Sequence, residues 1–518
     1  MLSRIPSCSV PELELKFQLG IGAIDALDKV FPPSEAKRSQ LRAVYFDTDT
    51  HALRDAGFSL RVRGDDGVFT QTLKHRGSGG LFERDEWETG VPGPDLDLDL
   101  FAASPAGSVV SQTALEAAFT VSVERRLHIW SHDDVRIQVT VDTGAVSANE
   151  RLEPVAELEL ELLAGTPGDL FALARQLLTT APLTLSFASK AERGYRLAGH
   201  DSLIALGFGE AALGPNTSVR EAFQTMARDS LTQIAGNGAL LRRSRSPAVL
   251  HQMRIGLRRF RTALVIFKPI LDSAGLRAAR EDVRWLAGEL AAARDIDVFL
   301  ENLGPPQEFE ERAGRAAFLQ AMRLAQTEAH DQVTLALGSR RYDLVLLSLG
   351  EWIEAGAWRE PDDKARVDFL ETPLADFAPE VMDRLHRRCL RASRGFERLD
   401  VTARHDLRKQ AKVLRYASAF LGNALGTHPK RWRAYMSRLR TMLDHLGVLN
   451  DFAVAQDVVR RAIARRSPLV AHAAGLELGR MSYLENQTLM ATRKSVKAYR
   501  DSRVFWSRQA KDLNYSQP

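Results

Sequence analysis

The sequence predicts an α+β protein with two main parts, an antiparallel β domain followed by an all-α domain. Up to about Leu197 the chain alternates in short strand-like pieces, such as "FSLRVRG" and "VFTQTLKH", separated by turns rich in Gly or Asp. From about Val219 this alternation stops and long amphipathic helical patterns follow. Because 518 residues are too many for one hydrophobic core, we expect a β domain over 1–200, a linker over 201–216 and a helical domain over 217–510.

The composition is that of an ordinary folded protein, with 45% hydrophobic and 26% charged residues. The chain has two cysteines, Cys8 and Cys389, which offer neither a disulfide framework nor a zinc-ligand spacing. Its first residues lack the apolar core of a signal peptide, and no run approaches the ~18 to 20 apolar residues that span a bilayer. We therefore expect a cytoplasmic protein that does not enter a membrane.

Charge is distributed unevenly along the chain. Residues 1–200 hold 20 Lys and Arg against 29 Asp and Glu, a net charge of −9, whereas residues 201–518 hold 50 against 37, a net charge of +13. The second part should therefore attract anionic partners.

The first strand is expected in "PELELKF", residues 11–17. Successive side chains on a strand point to opposite faces, so Glu12, Glu14 and Lys16 share one face and the apolar side chains between them share the other. Taken alone, this pattern favours an edge strand with a hydrated outer face.

The same alternation of charged and apolar faces recurs through the first 200 residues. The charged positions are Arg61 and Arg63, Lys74, Arg84, Glu86 and Glu88, Glu157, Glu159 and Glu161, and Lys190 and Arg193. One such strand fits a sheet edge, but a sheet in which most strands carry an ionisable face fits a closed or nearly closed barrel. The apolar faces would then pack outward on helices and the charged faces would line a hydrated lumen.

Such a lumen would combine two kinds of group. Clustered carboxylates are hard oxygen ligands suited to Mg²⁺ or Mn²⁺, and clustered Arg and Lys side chains suit phosphate oxygens. A metal-bound polyphosphate needs both. The sequence shows neither a Ser/His/Asp nor a Cys/His arrangement for nucleophilic catalysis.

The helical part contains an internal repeat. "HQMRIGLRRFR" and "HDLRKQAKVLR" place one His and three cations at the same offsets of 0, 3, 7 and 10, and each is followed by a shared piece that contains Asp295 or Asp451. Two copies of one helical unit, over about 217–365 and 366–510, explain this best. The repeated positions are His251, Arg254, Arg258 and Arg261 in the first copy, and His405, Arg408, Lys412 and Arg415 in the second.

Each repeated set forms one narrow basic stripe, because these offsets fall within roughly 80° of arc on a helix. A solvated charged face is the alternative, but like charges at this spacing repel, and an anion lying along the stripe would turn repulsion into attraction. Nucleic acid is not expected as a partner, because few aromatic residues lie beside the stripes to stack bases, Tyr416 being the exception. This half resembles the conserved histidine α-helical domain, CHAD, over about residues 215–510, which implies binding of inorganic polyphosphate.

The first half resembles the CYTH domain, or triphosphate tunnel metalloenzyme family, over about residues 10–200. "ELELK" matches its Glu-x-Glu-x-Lys signature, and "YFDT", "LRVR", "TLK", "RDEWE", "ERRLHIW", "ELELEL" and "SKAERGY" follow in the family's order. The resemblance implies an eight-stranded antiparallel β tunnel. A CYTH domain fused to a CHAD domain resembles bacterial inorganic triphosphatases, which implies hydrolysis of triphosphate to pyrophosphate and phosphate with Mg²⁺ or Mn²⁺.

The resemblance also implies roles for single residues. The implied metal ligands are Glu12, Glu14, Glu157 and Glu159, and the implied catalytic set is Glu12, Glu14, Lys16, Glu86 and Glu88. The implied phosphate contacts are Lys16, Arg61, Arg63, Lys74, Arg84, Arg126, Lys190 and Arg193. Whether Arg125 or Arg126 faces the tunnel is left open at this point.

Two alternatives remain from the sequence. The chain could be a non-catalytic protein that binds polyphosphate or targets polyphosphate granules, but pure anion binding would not need the lumen carboxylates. It could also be a CYTH enzyme that acts on a nucleoside or thiamine triphosphate, which would need a base-binding pocket. The oligomeric state and the preferred metal do not follow from the sequence.

Overall fold

The computed structural model describes most of the chain. The described residues are 13–75, 85–109, 115–199, 204–207, 213–271, 273–305, 312–356, 358, 364–425, 429–463 and 468–506.

The N-terminal part is built on one antiparallel sheet. Within the described residues its strands are β1 (Glu14–Leu19), β2 (Lys37–Asp47), β3 (Phe58–Asp65), β4 (Val68–His75), β5 (Asp85–Val91), β6 (Glu116–His132), β7 (Val135–Ala148), β8 (Arg151–Ala164) and β9 (Leu183–Leu185). The strand order is β5-β4-β3-β2-β6-β7-β8-β1-β9. The described residues thus give nine strands where the resemblance implied eight, and the shortest is the three-residue β9.

In the described part of the first 200 residues, the sheet is accompanied by the helices α1 (Ala23–Asp28), α2 (Ala52–Asp55), α3 (Leu98–Ala102), α4 (Pro167–Thr180) and α5 (Lys190–Leu197). The outward side chains Leu158 and Leu160 of β8 are fully buried, as are Leu170, Phe171 and Leu177 of α4. Since α4 packs against β8, the apolar strand faces do pack outward on a helix.

The opposite face of the sheet, called the inner face below, has an apolar part and a charged part. Leu41, Val121 and Val155 pack with Ala191 and Tyr195 of α5 in one buried cluster. Because side chains alternate, Val121 shares a face of β6 with Arg125, and Val155 shares a face of β8 with Glu157. The helix α5 therefore lies on the same face as the charged residues, and its apolar side covers part of that face.

The C-terminal part is helical. Its helices are α6 (Val219–Leu241), α7 (Pro247–Ile266), α8 (Ser273–Glu289), α9 (Ala291–Glu301), α10 (Arg312–Leu337), α11 (Arg340–Glu354), α12 (Lys364–Leu370), α13 (Leu374–Ala392), α14 (Val401–Leu421), α15 (Pro429–Ile463) and α16 (Pro468–Arg500). Ser218 begins α6 as expected, since its hydroxyl accepts from the Glu221 N–H while the Glu221 carboxylate accepts from the Ser218 N–H. An antiparallel sheet domain followed by a helical region confirms the predicted fold class.

The chain divides into two compact units. One contains the sheet, residues up to Ala205, together with Gly238–Leu240 and Ser339–Gly356, and the other contains the remaining helices. Helix α11 thus belongs to the sheet unit although its sequence neighbours α10 and α12 do not. It packs on α4, where Arg175 forms an ion pair with Glu351. No helix among the described residues is long and apolar enough to cross a membrane.

Candidate active site

The charged part of the inner face begins at the ladder between β1 and β8. These strands pair antiparallel with Lys16 opposite Glu159 and Glu14 opposite Glu161. The Lys16 ammonium consequently lies 2.7 Å from Glu159 Oε1 and 3.5 Å from Glu14 Oε1. The sequence-predicted face of the first strand is therefore assembled as expected over its described residues.

Lys190 adds a second ammonium group to the same carboxylates. Its Nζ lies 2.8 Å from Asp142 Oδ2, 2.8 Å from Glu157 Oε2 and 2.9 Å from Glu159 Oε1. Burial alone would lower the pKa of Lys190, but Glu159 and the other carboxylates outweigh burial and raise that pKa well above its usual value. Lys190 is therefore charged at neutral pH.

Glu159 is the carboxylate shared by the cations of this cluster. Burial alone would raise its pKa, but Lys16, Lys190 and Arg125 together hold the pKa of Glu159 well below its ordinary value. Glu157 is also ionically paired, because Arg193 Nη1 lies 2.7 Å from its Oε1. We call Glu14, Lys16, Arg125, Asp142, Glu157, Glu159, Lys190 and Arg193 the carboxylate cluster.

The structure brings Arg125, and not Arg126, to this cluster. Arg125 donates to both oxygens of Asp142 at 2.8 and 2.7 Å, and its Nη2 lies 3.5 Å from Glu159 Oε2. Arg126, the next residue on β6, points to the other face and lies 2.7 Å from Asp28 Oδ1. The predicted phosphate contact Arg126 therefore lies apart from the other candidates.

Asp142 was missed in the sequence, although its side chain is fully buried and it holds both Arg125 and Lys190. The available signal was one acidic residue in the otherwise uncharged strand segment "IQVTVDTG". Burial alone would raise the pKa of Asp142, but Lys190 and Arg125 lower it below the usual value. Its carboxylate is thus ionised.

A second group, called the cation cluster, lies on β3, β4 and β5. Lys74 Nζ lies 2.6 Å from Glu86 Oε2, Arg61 Nη2 lies 3.7 Å from Glu86 Oε1, and Arg63 Nη2 lies 3.6 Å from Glu88 Oε1. All five of these charged residues were predicted from the sequence, and the ladders β3–β4 and β4–β5 bring them together.

Tyr45 on β2 connects the two clusters. Its hydroxyl accepts from Arg61 Nη1 at 3.4 Å. Burial would raise the pKa of Tyr45, but the positive charges of Arg61, Lys190 and Lys74 outweigh burial and lower it. The ladders place both clusters on one face of the sheet, because Tyr45 lies opposite Arg61 of β3 and opposite Phe119 of β6, which shares its face with Arg125. Tyr45 was not predicted as a site residue.

Two predicted site residues, Glu12 and Arg84, lie outside the described residues. Over the rest, no group of three or more His, Cys, Asp or Glu side chains is arranged to hold a metal ion. The reason is visible in the contacts, because oxygens of Glu14, Glu157 and Glu159 each face an ammonium or guanidinium group. By chemistry, ionised carboxylates on adjacent strands still suit a hard divalent cation.

The helical unit brings its two basic stripes together. Arg254 donates to the Leu290 carbonyl at 2.9 Å, and Arg258 donates to the Tyr416 hydroxyl at 3.4 Å, so the stripe of α7 reaches α14. His405 Nδ1 lies 2.6 Å from Asn450 Oδ1, which gives this predicted ligand a structural partner. His251 is half-buried, and burial and Arg294 lower its pKa.

Lys412 lies among these arginines. Burial, followed by the repulsion of Arg258 and Arg408, lowers the pKa of Lys412 to about 6, and Asp451 offsets this only in part. The carboxyl pKa of Asp451 is itself raised by burial. We call Arg254, Arg258, Arg408 and Lys412 the basic cluster; its four basic side chains are opposed by two carboxyl groups, Asp295 near Arg254 and Asp451 near Arg408 and Lys412.

The last residue of each stripe, Arg261 or Arg415, is not part of this basic cluster. Arg261 is exposed on α7. Arg415 stacks over the ring of Tyr416 with its guanidinium carbon 5.1 Å from the ring centroid.

Comparison with known proteins gives two family matches. The CYTH domain model matches residues 11–195, and the CHAD domain model matches residues 225–460.

Individual relatives match one part of the chain each. An inorganic triphosphatase of Haemophilus influenzae is 31% identical over 194 residues, which cover 36% of this chain and 54% of that protein. The chain therefore spans about half the length of this curated relative. The crystal structure of the CHAD domain from the plant Ricinus communis is 28% identical and covers 57% of this chain and 97% of that chain, with a TM-score of 0.48. A Hippeastrum protein named as an adenylyl cyclase, and described as having a dominant triphosphatase activity, is 19% identical and covers 35% of this chain and 95% of that chain, with a TM-score of 0.28.

Proposed function

Because the chain carries a CYTH domain followed by a CHAD domain, we propose that it is a metal-dependent inorganic triphosphatase with a polyphosphate-binding helical domain. The reaction is hydrolysis of triphosphate to pyrophosphate and phosphate on the inner face of the sheet unit. The observation that carries this proposal is the placement of the carboxylate cluster and the cation cluster on one face of the sheet, where Tyr45 of β2 lies opposite Arg61 of β3 on one side and opposite Phe119 of β6 on the other. The 31% identity to an inorganic triphosphatase supports the same substrate class.

The cations of the inner face would bind the phosphates. Arg61, Arg63 and Lys74 present three positive charges on adjacent strands, opposed by Glu86 and Glu88. A triphosphate placed among them would offer more negative oxygens than these two carboxylates do. The three side chains would then pair with phosphate oxygens instead of with Glu86 and Glu88. Because they are already held in place, they would stabilise charge on the transferred phosphoryl group with little rearrangement.

The carboxylate cluster would hold the metal ion. We assign Glu14, Glu157 and Glu159 as ligands, with Glu12 proposed from its place in the sequence motif. A bound Mg²⁺ or Mn²⁺ would supply Lewis-acid charge beside the phosphate oxygens. Lys16 and Lys190, which now pair with Glu159, would turn to the substrate oxygens and leave the carboxylate to the cation. Arg125 replaces Arg126 in this assignment because it lies in the cluster.

The helical domain would bind inorganic polyphosphate along its basic cluster. The shortage of negative charge around Arg254, Arg258, Arg408 and Lys412 supports an anionic ligand. Charge reversal at Arg254 and Arg408 should then weaken retention on long-chain polyphosphate, and unchanged retention would reject this site. The proposed location is the cytoplasm, with association with polyphosphate granules as a further part of the proposal.

The catalytic proposal is tested by measuring phosphate release from triphosphate, ATP and thiamine triphosphate with Mg²⁺, with Mn²⁺ and with a chelator. We expect release from triphosphate to dominate and to stop on chelation. Glu14→Ala should abolish turnover without loss of fold. Wild-type activity in that variant would contradict the assignment of Glu14 as a metal ligand of the active site. Faster phosphate release from ATP or thiamine triphosphate than from inorganic triphosphate would assign that compound as the substrate instead. Absence of all release, with intact polyphosphate retention, would favour a purely binding protein.

A further inference from the structure

Two residues of the sequence motifs "YFDT" and "SKAERGY" have no role in the site described above. They are Asp47, the last residue of β2, and Tyr195, in the last turn of α5. The structure joins them, because the Tyr195 hydroxyl donates to Asp47 Oδ2 at 2.7 Å although 148 positions separate the two in the chain. Asp47 is 1% exposed and Tyr195 is 3% exposed.

The Asp47 carboxylate is fully hydrogen-bonded. Its Oδ1 accepts from the backbone N–H groups of Thr48 and Leu53 at 2.7 and 2.9 Å. Its Oδ2 accepts from the Arg54 N–H at 3.0 Å and from the Tyr195 hydroxyl. Three of the four donors are backbone groups, two of which, on Leu53 and Arg54, fix the carboxylate to α2, and the fourth donor belongs to α5. Asp47 is therefore a rigid anchor with one acceptor direction aimed at α5.

Tyr195 is held as the donor of this bond. Burial, followed by the negative charge of Asp47, raises the pKa of Tyr195, so the hydroxyl keeps its proton. Its ring packs edge-on against Phe119 of β6 with centroids 5.0 Å apart. The preceding residue, Gly194, lies directly on the same ring, since a Cβ there would be 2.1 Å from Phe119 ring carbons. The backbone of α5 thus touches the sheet at this point, and the hydrogen bond limits how the helix can rotate.

The other end of α5 carries Lys190. Ser189 caps the helix, its hydroxyl accepting from the Glu192 N–H at 3.1 Å. Lys190, the first residue of α5, reaches Asp142, Glu157 and Glu159 from there. With only eight residues, the helix is about 12 Å long, so a small rotation at Tyr195 moves the Lys190 ammonium group.

We propose that the Asp47–Tyr195 hydrogen bond is a positioning contact that fixes α5 on the inner face and so places Lys190 for the phosphates of the substrate. The inference rests on the proposed triphosphatase function. Neither residue touches the carboxylate cluster by any described ion pair, so both act through α5.

The test is Tyr195→Phe, which removes one hydroxyl oxygen and leaves Asp47 with its three backbone donors. We expect KM for triphosphate to rise and kcat/KM to fall about tenfold, since misplacement of a binding group by about 1 Å can cost up to 100-fold. Tyr483→Phe is the matched control, because Tyr483 is an exposed tyrosine of α16 whose hydroxyl accepts only from Gln487 within the described contacts. It should leave KM and kcat unchanged.

A double-mutant cycle separates positioning from general stability. In a Lys190→Ala background we expect Tyr195→Phe to lower kcat/KM clearly less than in the wild-type background, because the ammonium group that it positions is gone and only Arg193 of α5 remains in the cluster. An equal loss in both backgrounds, or no loss in the wild-type background, would overturn the proposal.

Hydrogen exchange of the backbone amides in residues 190–197 provides a readout that does not depend on turnover. In the full-length protein without substrate, Tyr195→Phe should speed exchange in this segment and leave the exchange of α4 unchanged. Unchanged exchange in α5 would reject the anchor. If the wild-type protein released no phosphate from triphosphate, the proposed function would fail, while the exchange result would still decide whether Tyr195 holds the helix.

Discussion

Arg125 and Arg126 offer a direct test of which face of β6 serves the reaction. They are neighbours with the same side chain, but Arg125 lies in the carboxylate cluster and Arg126 pairs with Asp28 on the opposite face. We expect Arg125→Ala to lower kcat/KM for triphosphate by about 10²-fold to 10³-fold, the usual cost of removing one preorganised donor to a charged transition state. Arg126→Ala should change kcat/KM less than about twofold, because among the described residues its guanidinium group pairs with Asp28, outside both clusters.

The two substitutions should also differ in stability. Asp142 has no exposed side-chain surface, and breaking a buried ion pair typically costs about 3–5 kcal/mol. Lys190 remains 2.8 Å from Asp142, so we expect Arg125→Ala to lose about 2–3 kcal/mol, at or below the low end of that range. The side chain of Asp28 is 31% exposed, and its pair with Arg126 should contribute about 1 kcal/mol or less.

Steady-state hydrolysis of triphosphate and urea unfolding of both variants provide the measurements. The reasoning is refuted if Arg126→Ala loses activity while Arg125→Ala keeps it, or if both lose it equally without a difference in stability. Arg125→Lys distinguishes charge from geometry, because lysine cannot make the two parallel bonds to Asp142. We expect it to recover only part of the lost activity.

Three further outcomes follow from other parts of the chain. The pKa of Lys412 is about 6 in the folded protein and near 10.4 in an unfolded chain. Burying the protonated amine therefore lowers the free energy of unfolding, by its full amount below about pH 6 and by less as pH rises. Between pH 6.5 and 8.5 the free energy of unfolding should therefore rise with pH more steeply in the wild-type protein than in Lys412→Met, by up to about 1.4 kcal/mol per pH unit. Polyphosphate should bind more tightly at pH 6 than at pH 8, with less change in Lys412→Met, since the anion favours the charged amine; affinity independent of pH in the wild type would contradict this. Burial raises the pKa of the Cys389 thiol to about 12, so in a Cys8→Ser background a thiol reagent at pH 8 should react only after denaturation; rapid reaction of the native protein would contradict the placement of Cys389.

Much of the inner face follows from strand periodicity. Glu14 and Lys16 on β1, and Arg61 and Arg63 on β3, are two residues apart, so each pair had to share a face whatever the rest of the fold. The ladder β1–β8 then brings Lys16 opposite Glu159, a pairing that periodicity alone does not specify. Prediction was therefore successful for charged residues that occur as alternating pairs on one strand.

The sequence was less informative where two neighbouring residues of the same type could each point to the inner face of a strand. In "VSVERRLHIW" both Arg125 and Arg126 follow a charged residue, and the choice between them depends on the contact of Val121 and Val123 with α5. That contact is tertiary and has no local signal. Tyr45 was missed for a similar reason, since an aromatic residue on a strand is usually a core residue, and only the nearby Arg61 gives its hydroxyl a role.

The burial of so many charges argues for function over stability. Glu157 is 2% exposed, and Arg193, which binds it, is 5% exposed. Removing two such ions from water costs several kcal/mol each, and apolar residues of similar size are often at least as stabilising. The neighbouring apolar part of the same face shows that this sheet can be filled that way, because Val121 and Val155 pack there with Ala191. The charged part therefore stabilises the fold less than apolar side chains at the same positions would. Binding of a metal ion by the carboxylates and of a polyanion by the cations would give these charges favourable contacts.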